Sequence, residues 1–152
     1  MIQISNLTLR MAGRLLIEDA SVTIPTGSKT GFVGRNGTGK TTLARGLLHG
    51  LGHVGRVKSP TYTLMETYRV NGMAICHLDL YRLADADELE YLGLRDYWQD
   101  DSLILVEWPE MGAGMLPEPD IHIRIEHRKL ARSLSIEAVS PRARLYNLDL
   151  ST

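Results

Sequence analysis

Cysteine is nearly missing. Cys76 is the only one in 152 residues, so no intrachain disulfide can form and no multi-cysteine metal site can be built. That usage fits a reducing compartment. A dominant sign of charge is missing too: 17 Lys and Arg stand against 18 Asp and Glu, a formal net charge of −1, which removes any overall electrostatic pull toward nucleic acid or an anionic membrane. No apolar run approaches the roughly 20 residues needed to cross a bilayer. The opening "MIQISNLTLR" has no basic stretch ahead of an apolar core, so it does not read as a signal peptide. A soluble, cytoplasmic protein is the expectation. With 43% hydrophobic and 23% charged residues, the composition argues against disorder, and the length suits one compact domain.

What is present is a mixture of periodicities. Residues 2–9 alternate, with a slip at Ser5-Asn6 that reads as a bulge, and Val22 and Ile24 continue a strand-like pattern up to the turn "PTGS" at 25–28. "TGFV" leads into a glycine-rich loop at 34–39, followed by a helical stretch from Thr41 to His49 that Gly50 and Gly52 would end. Residues 61–70 alternate again, Asn71-Gly72 is a strong hairpin turn, and "MAICHLDL" is the return strand. In "DADELEYLG", Asp85 and Glu88 have capping-box spacing and Gly93 can close the helix. "SLILVEWPE" reads as a buried strand with a carboxylate at its tip, and "PEPD" at 117–120 breaks the chain. "IHIRIEH" (121–127) and "SLSIEAV" (133–139) read as a hairpin around "RKLAR"; the last dozen residues carry no legible pattern. The fold class is α/β, with a mainly parallel central sheet and antiparallel strands and hairpins at its margins, and the glycine-rich loop "GRNGTGKT" makes it a P-loop NTPase fold.

The chemistry lies in "GRNGTGKT", Gly34 to Thr41, which matches G-x-x-x-x-G-K-[ST] between an apolar strand and a helix. Glycines let the backbone wrap a phosphate with N–H groups, and the helix start adds partial positive charge. Gly34, Asn36, Gly37, Thr38, Gly39, Lys40, Thr41 and Thr42 are therefore the nucleotide-binding candidates. Lys40 would reach the β- and γ-phosphates and the Thr41 hydroxyl would ligate Mg²⁺. Magnesium also needs a carboxylate, and two strand tips offer one: Glu107 after "LILV" and Asp79 after "AICHL". Either can ligate metal, directly or through water, or orient the attacking water. His77 and Asp79 alternate on one strand face with no third ligand nearby, so they read as no metal site. His49 and His53 have glycines between and beside them and read as solvated or structural. Trp108 stands beside the site, able to stack on a base or simply to be buried.

Past the lysine, "ARGLLHGLGHVGRVKSPTYTLMETY", "HLDLYRLADADELEYLGLRDYW" and "LVEWPEMGAGMLPEPDI" occur in one order and spacing. Over about residues 39–140 these blocks resemble the TsaE family, small bacterial ATPases of the tRNA threonylcarbamoyladenosine pathway. The segment "ISNLTLRMAGRLLIEDASVTIPTGSKTGFVGRNGTGKTTL" instead resembles the N-terminal part of an ABC-type ATPase. The chain thus reads as a composite inside one P-loop domain: 1–43 ABC-like, 44–140 TsaE-like, 141–152 a tail. An acidic and an apolar residue are usual in TsaE proteins where Arg35 and Asn36 stand. The "LSGGQ" signature, glutamine-loop subdomain and switch histidine of ABC proteins are absent from the sequence, and Met11 stands where an aromatic commonly stacks on adenine.

The TsaE resemblance implies an ATP-binding, Mg²⁺-dependent ATPase, with ADP as product, that is slow alone and stimulated by a TsaD–TsaB complex without touching tRNA directly. By the same resemblance Lys40 and Thr41 bind phosphate and Mg²⁺, Glu107 is the second metal ligand and Asp79 supports hydrolysis. Thr61 belongs to a switch-like segment, Trp108 lines the site and Arg132 lies where the family approaches the base. Three other expectations stand beside this one: an ATP-binding module with little turnover, a truncated ABC-type cassette, and a small-molecule kinase.

Overall fold

The computed structural model describes residues 2–11, 14–24, 27–98, 101–129 and 132–144, the first two stretches by backbone course alone. β1 (Ile2–Met11) and β2 (Arg14–Ile24) pair antiparallel as a two-stranded sheet of their own. Their register shifts between Ile4 and Leu7, where the Ser5-Asn6 slip predicts a bulge.

The main sheet has six strands: β3 (Lys29–Val33), β4 (Met65–Val70), β5 (Met73–Asp79), β6 (Ser102–Glu107), β7 (Ile121–His127) and β8 (Arg132–Ala138), in the spatial order β4-β5-β6-β3-β7-β8. The four central strands run parallel, and an antiparallel partner closes each edge. All six residues of β6 are buried, as an apolar run covered on both faces requires. Leu103 and Leu105 point to one face and Ile104 and Val106 to the other.

α1 (Lys40–Gly50) covers the first face. Leu43, Ala44, Leu47 and Leu48 recur at helical spacing and pack with Phe32, Ile75, Leu103 and Leu105. The helix ends in a Schellman arrangement: the His53 N–H reaches the Leu48 carbonyl (2.9 Å) and the Gly52 N–H the His49 carbonyl (3.0 Å). On the second face Cys76, Leu78, Ile104 and Val106 meet Leu80, Leu83, Leu89 and Leu94 from the segment that contains α2 (Glu88–Tyr91). Burial there pushes the Cys76 thiol up to about 12, so it stays protonated and unreactive.

Three boundaries differ from the sequence reading, each for a physical reason. The strand expected from residue 61 begins at Met65, because Leu64 takes a left-handed backbone (φ 62°) and Thr61 bonds a side chain across the site. In "DADELEYLG" only the Glu88 half of the expected capping box forms, and the residue ahead of the helix is Asp87 rather than Asp85. Glu88 Oε1 accepts from the Asp85 N–H (3.2 Å) and Asp85 Oδ1 from the Asp87 N–H (3.0 Å), yet only four residues are α-helical before a 3₁₀ turn at Leu94–Tyr97. A short helix, α3 (Pro141–Arg144), occupies a stretch without legible pattern, since four residues are too few to show a period. Its cap is Ser140, whose Oγ accepts from the Ala143 N–H (3.1 Å). Residues 130–131 of the expected loop and 145–152 of the tail lie outside the described residues. Among the described residues no helix is long and apolar enough to cross a membrane.

The end of the sheet remote from the glycine-rich loop is tied by Asp120. Its Oδ2 accepts from the Lys29 N–H (2.9 Å) and its Oδ1 from the Ser140 hydroxyl (2.6 Å), joining the starts of β3, β7 and α3. Asp120→Ala leaves these part-buried donors unmatched and is expected to lower stability by about 1–3 kcal/mol. Urea unfolding measures the loss; an unchanged midpoint contradicts the tie.

Candidate functional site

The loop from Gly34 to Gly39 leaves the C-terminal end of β3 and turns directly into α1. Gly39 is the N-cap residue, and its lack of a side chain leaves the first N–H groups of the helix uncovered from that position. Gly34 is held at φ 153° with its Cα facing β7: a Cβ there would lie 2.4 Å from the Ile125 carbonyl oxygen and 3.0 Å from Thr38 Oγ1. Thr38 is buried and braces the turn by donating its hydroxyl to the Arg35 carbonyl (2.8 Å).

Two strand ends meet the loop here. Asp79 at the tip of β5 and Glu107 at the tip of β6 stand in register with one another, and β6 runs beside β3. A crevice of about 320 Å³ lies outside these tips, where open parallel sheets place their ligands. Asn36, Gly37, Gly39, Lys40, Thr41, Thr42, Thr61, Asp79, Glu107 and Trp108 line it together, joined by Arg35 and Tyr81. Arg132 is not among the lining residues. It opens β8 opposite His127, past the last β3 pairing of β7. A larger cavity of about 510 Å³ borders the Ile104 and Val106 side of the sheet, but it is mostly apolar and holds none of the sequence-predicted site residues.

Glu107 is 2% exposed, and both its carboxylate oxygens are bonded. The Thr41 hydroxyl donates to Oε2 (2.9 Å), and His77 Nε2 lies 2.9 Å from Oε1. Two oxygens bound side by side to Mg²⁺ at its usual 2.0–2.1 Å are separated by about 2.9 Å, so the Thr41–Glu107 spacing suits such an ion. The described residues contain no cluster of three or more His, Cys, Asp and Glu able to hold a metal. One hydroxyl and one carboxylate, with further oxygens coming from phosphate and water, is the way Mg²⁺ is usually held.

Lys40 is 4% exposed, and its ammonium donates to the carbonyls of Gly34 and Arg35 while sitting 3.9 Å above the Trp108 ring. Burial draws its pKa below the ordinary lysine value, and the nearby carboxylates of Glu107, Asp79 and Glu110 oppose that shift. Trp108 occupies the left-handed region (φ 59°, ψ 52°) immediately before Pro109, a conformation costing on the order of 1–3 kcal/mol for a non-glycine residue. That turn carries its ring to Lys40 and to Tyr81, 5.2 Å away between centroids.

Asp79 is equally committed. Thr61 donates to its Oδ2 (2.8 Å), the Tyr81 N–H to its Oδ1 (3.1 Å), and its own N–H reaches the Leu64 carbonyl (3.0 Å). Ser59 Oγ lies 2.9 Å from Thr61 Oγ1, so the 59–64 segment is fastened to the β5 tip. His49 and His53 lie elsewhere: His49 Nδ1 meets the His53 carbonyl at the end of α1, and His53 packs edge-on against Tyr68. The residue that sequence reasoning undervalued is His77. A signal was available in the spacing, since a polar residue two before the tip of one apolar strand shares a face with that tip and can reach a carboxylate on the next.

A family model described as threonylcarbamoyl adenosine biosynthesis protein TsaE matches residues 6–134. The tRNA threonylcarbamoyladenosine biosynthesis protein TsaE of Haemophilus influenzae is 56% identical over 102 residues, which are 67% of this chain and 65% of that protein. The protein of the same description from Synechocystis is 45% identical over 91 residues, 57% of each chain. That from Bacillus subtilis is 38% identical over 90 residues, 59% of this chain and 56% of the relative. The matches therefore span less than two thirds of the length of these curated relatives. The crystal structure of Bacillus subtilis YdiB superposes with a TM-score of 0.65 at 28% identity, covering 80% of this chain and 75% of that one.

The loop geometry separates two glycines. Gly34→Ala drives a methyl group into the β7 backbone and is expected to cost on the order of 2–4 kcal/mol. At Gly37, where a Cβ meets nothing within 4 Å, the same change should cost only the left-handed penalty of about 1–2 kcal/mol. Thermal unfolding of the two variants side by side checks the order; equal losses contradict it.

Proposed function

The chain belongs to the TsaE family, whose model matches residues 6–134, and on that premise we propose that it is a cytoplasmic, Mg²⁺-dependent ATPase serving threonylcarbamoyladenosine formation in tRNA together with TsaD–TsaB. The observation that carries this reading is the convergence of Lys40, Thr41, Asp79 and Glu107 on one crevice at the tips of β3, β5 and β6. Backbone N–H groups of Gly34, Asn36, Gly37, Thr38, Gly39 and Thr42 cradle the phosphates. Lys40 exchanges the loop carbonyls for the β- and γ-phosphates. Thr41 and Glu107 hold Mg²⁺, which when bound neutralises charge on those phosphates. Trp108 walls the site beside Lys40, and Arg132 has the nucleotide base as its proposed contact. Hydrolysis then joins a water oxygen to the γ-phosphorus as the bond to the bridging oxygen breaks, leaving ADP and phosphate.

Asp79 is the group that orients this water, and both of its oxygens are occupied by Thr61 and the Tyr81 N–H. That supports slow turnover by the chain alone and a role for a partner that shifts the 59–64 segment. It equally favours the second reading, an ATP-binding module with little turnover. Partner contact is made through protein surfaces, without direct binding to tRNA or membrane.

We also read residues 1–43 as ABC-like and the chain as a composite within one P-loop domain. The two-stranded sheet of β1 and β2, separate from the main one, and the loop residues Arg35 and Asn36 support that reading. The family model's match nevertheless takes in residues 6–43 as well. ATP-dependent dimerisation, followed by light scattering, would favour the ABC-type cassette; a monomer at all nucleotide concentrations sets it aside.

Phosphate release should be slow for the chain alone and rise at least about tenfold with TsaD–TsaB. Lys40→Ala and Glu107→Ala should each lower the stimulated rate by on the order of 100-fold. Equal rates in all samples would end the ATPase proposal, whereas tight ATP binding without turnover under every partner condition supports the module.

A further inference from the structure

β5 is apolar where it is most buried, with one exception. Ile75, Cys76 and Leu78 surround His77, which is fully buried. One ring nitrogen, Nε2, is 2.9 Å from Glu107 Oε1; the other, Nδ1, is buried with no hydrogen-bond partner. A carboxylate accepts, so Nε2 is the nitrogen placed to donate. The Nδ1 side then faces the core as an acceptor without a donor. Buried polar groups are almost always paired, and an apolar side chain of similar size would fill this place without orphaning a nitrogen. The one interaction that accounts for an imidazole here is the bond to Glu107.

The Glu107 backbone is fixed independently, since its carbonyl accepts from the Leu80 N–H (3.0 Å). Its carboxylate is not, because the terminal torsion of a glutamate is broad. Of the two side-chain contacts on that carboxylate, Thr41 lies on the oxygen that would face a cation and is itself a proposed ligand. His77 grips the other oxygen. We propose that His77 is a positioning residue for the magnesium site: it fixes Glu107 Oε1 so that Oε2 stays turned toward Thr41. This inference rests on the ATPase reading and extends it to a residue that touches neither nucleotide nor metal.

The test uses the full chain with His77→Leu, which removes the donor, and His77→Gln, whose side-chain amide restores one. Mn²⁺ replaces Mg²⁺ and is followed by electron paramagnetic resonance in the ATP complex, while calorimetry in EDTA measures ATP binding without the cation. His77→Leu should leave cation-free ATP affinity within about twofold and weaken Mn²⁺ retention by about 10- to 100-fold. His77→Gln should recover most of that loss. Unchanged Mn²⁺ retention in the leucine variant overturns the proposal, as does a folded glutamine variant as weak as leucine. Nitrogen-15 NMR of the unaltered chain provides a check that needs no variant to fold: His77 must carry its proton on Nε2, and the opposite tautomer overturns the assignment. Should the unaltered chain take up ATP without any cation effect, the magnesium-dependent ATPase reading falls first and this inference falls with it. Normal uptake with indifferent variants removes the inference alone.

Discussion

A carboxylate taken out of water must find donors or lose its charge, and the carboxylate of Glu107 governs how the rest of this molecule is arranged. It sits at the tip of a strand that is buried along its whole length. One donor arrives from the second residue of α1 and the other from the interior of β5. Those two bonds bring together elements separated by 66 and 30 residues, and they do so at the place where the phosphate loop opens. Stability and chemistry therefore converge on the same atoms. The lysine beside them shows the same economy of means. Its ammonium is satisfied by two loop carbonyls and the face of an indole ring, contacts that polyphosphate oxygens can replace.

Much of this was legible in the sequence, for reasons that differ by element. The loop was readable because a phosphate cradle tolerates few residue types at fixed spacing. β6 and β7 were readable to within a residue because a central strand must be apolar throughout and a half-exposed one must alternate. The hairpin of β4 and β5 was announced by Asn71-Gly72, both with positive φ. Asp79, Glu107 and Trp108 stand at or beside strand tips and Thr61 is marked by the family resemblance; all four line the crevice.

What stayed hidden depended on partners distant in sequence. Nothing local says that Thr61 will leave its alternating run to bond Asp79, 18 residues on. Nor does any pattern show that Trp108 will adopt a left-handed backbone, where its ring meets Lys40 and Tyr81. His77 escapes a local reading because its partner, Glu107, lies on the adjoining strand. Arg132, which family likeness assigns to a base, opens β8 opposite His127 and is not among the residues lining the crevice.

The lone cysteine has a practical side. Because Cys76 is enclosed by the sheet and burial raises its thiol pKa, the folded chain is expected to resist alkylating dyes and spin labels. A single cysteine placed on the 59–64 segment would thus accept a probe without first stripping out the native one. The motion of that segment relative to the sheet then becomes directly observable by fluorescence or pulsed distance spectroscopy, on a chain otherwise unchanged.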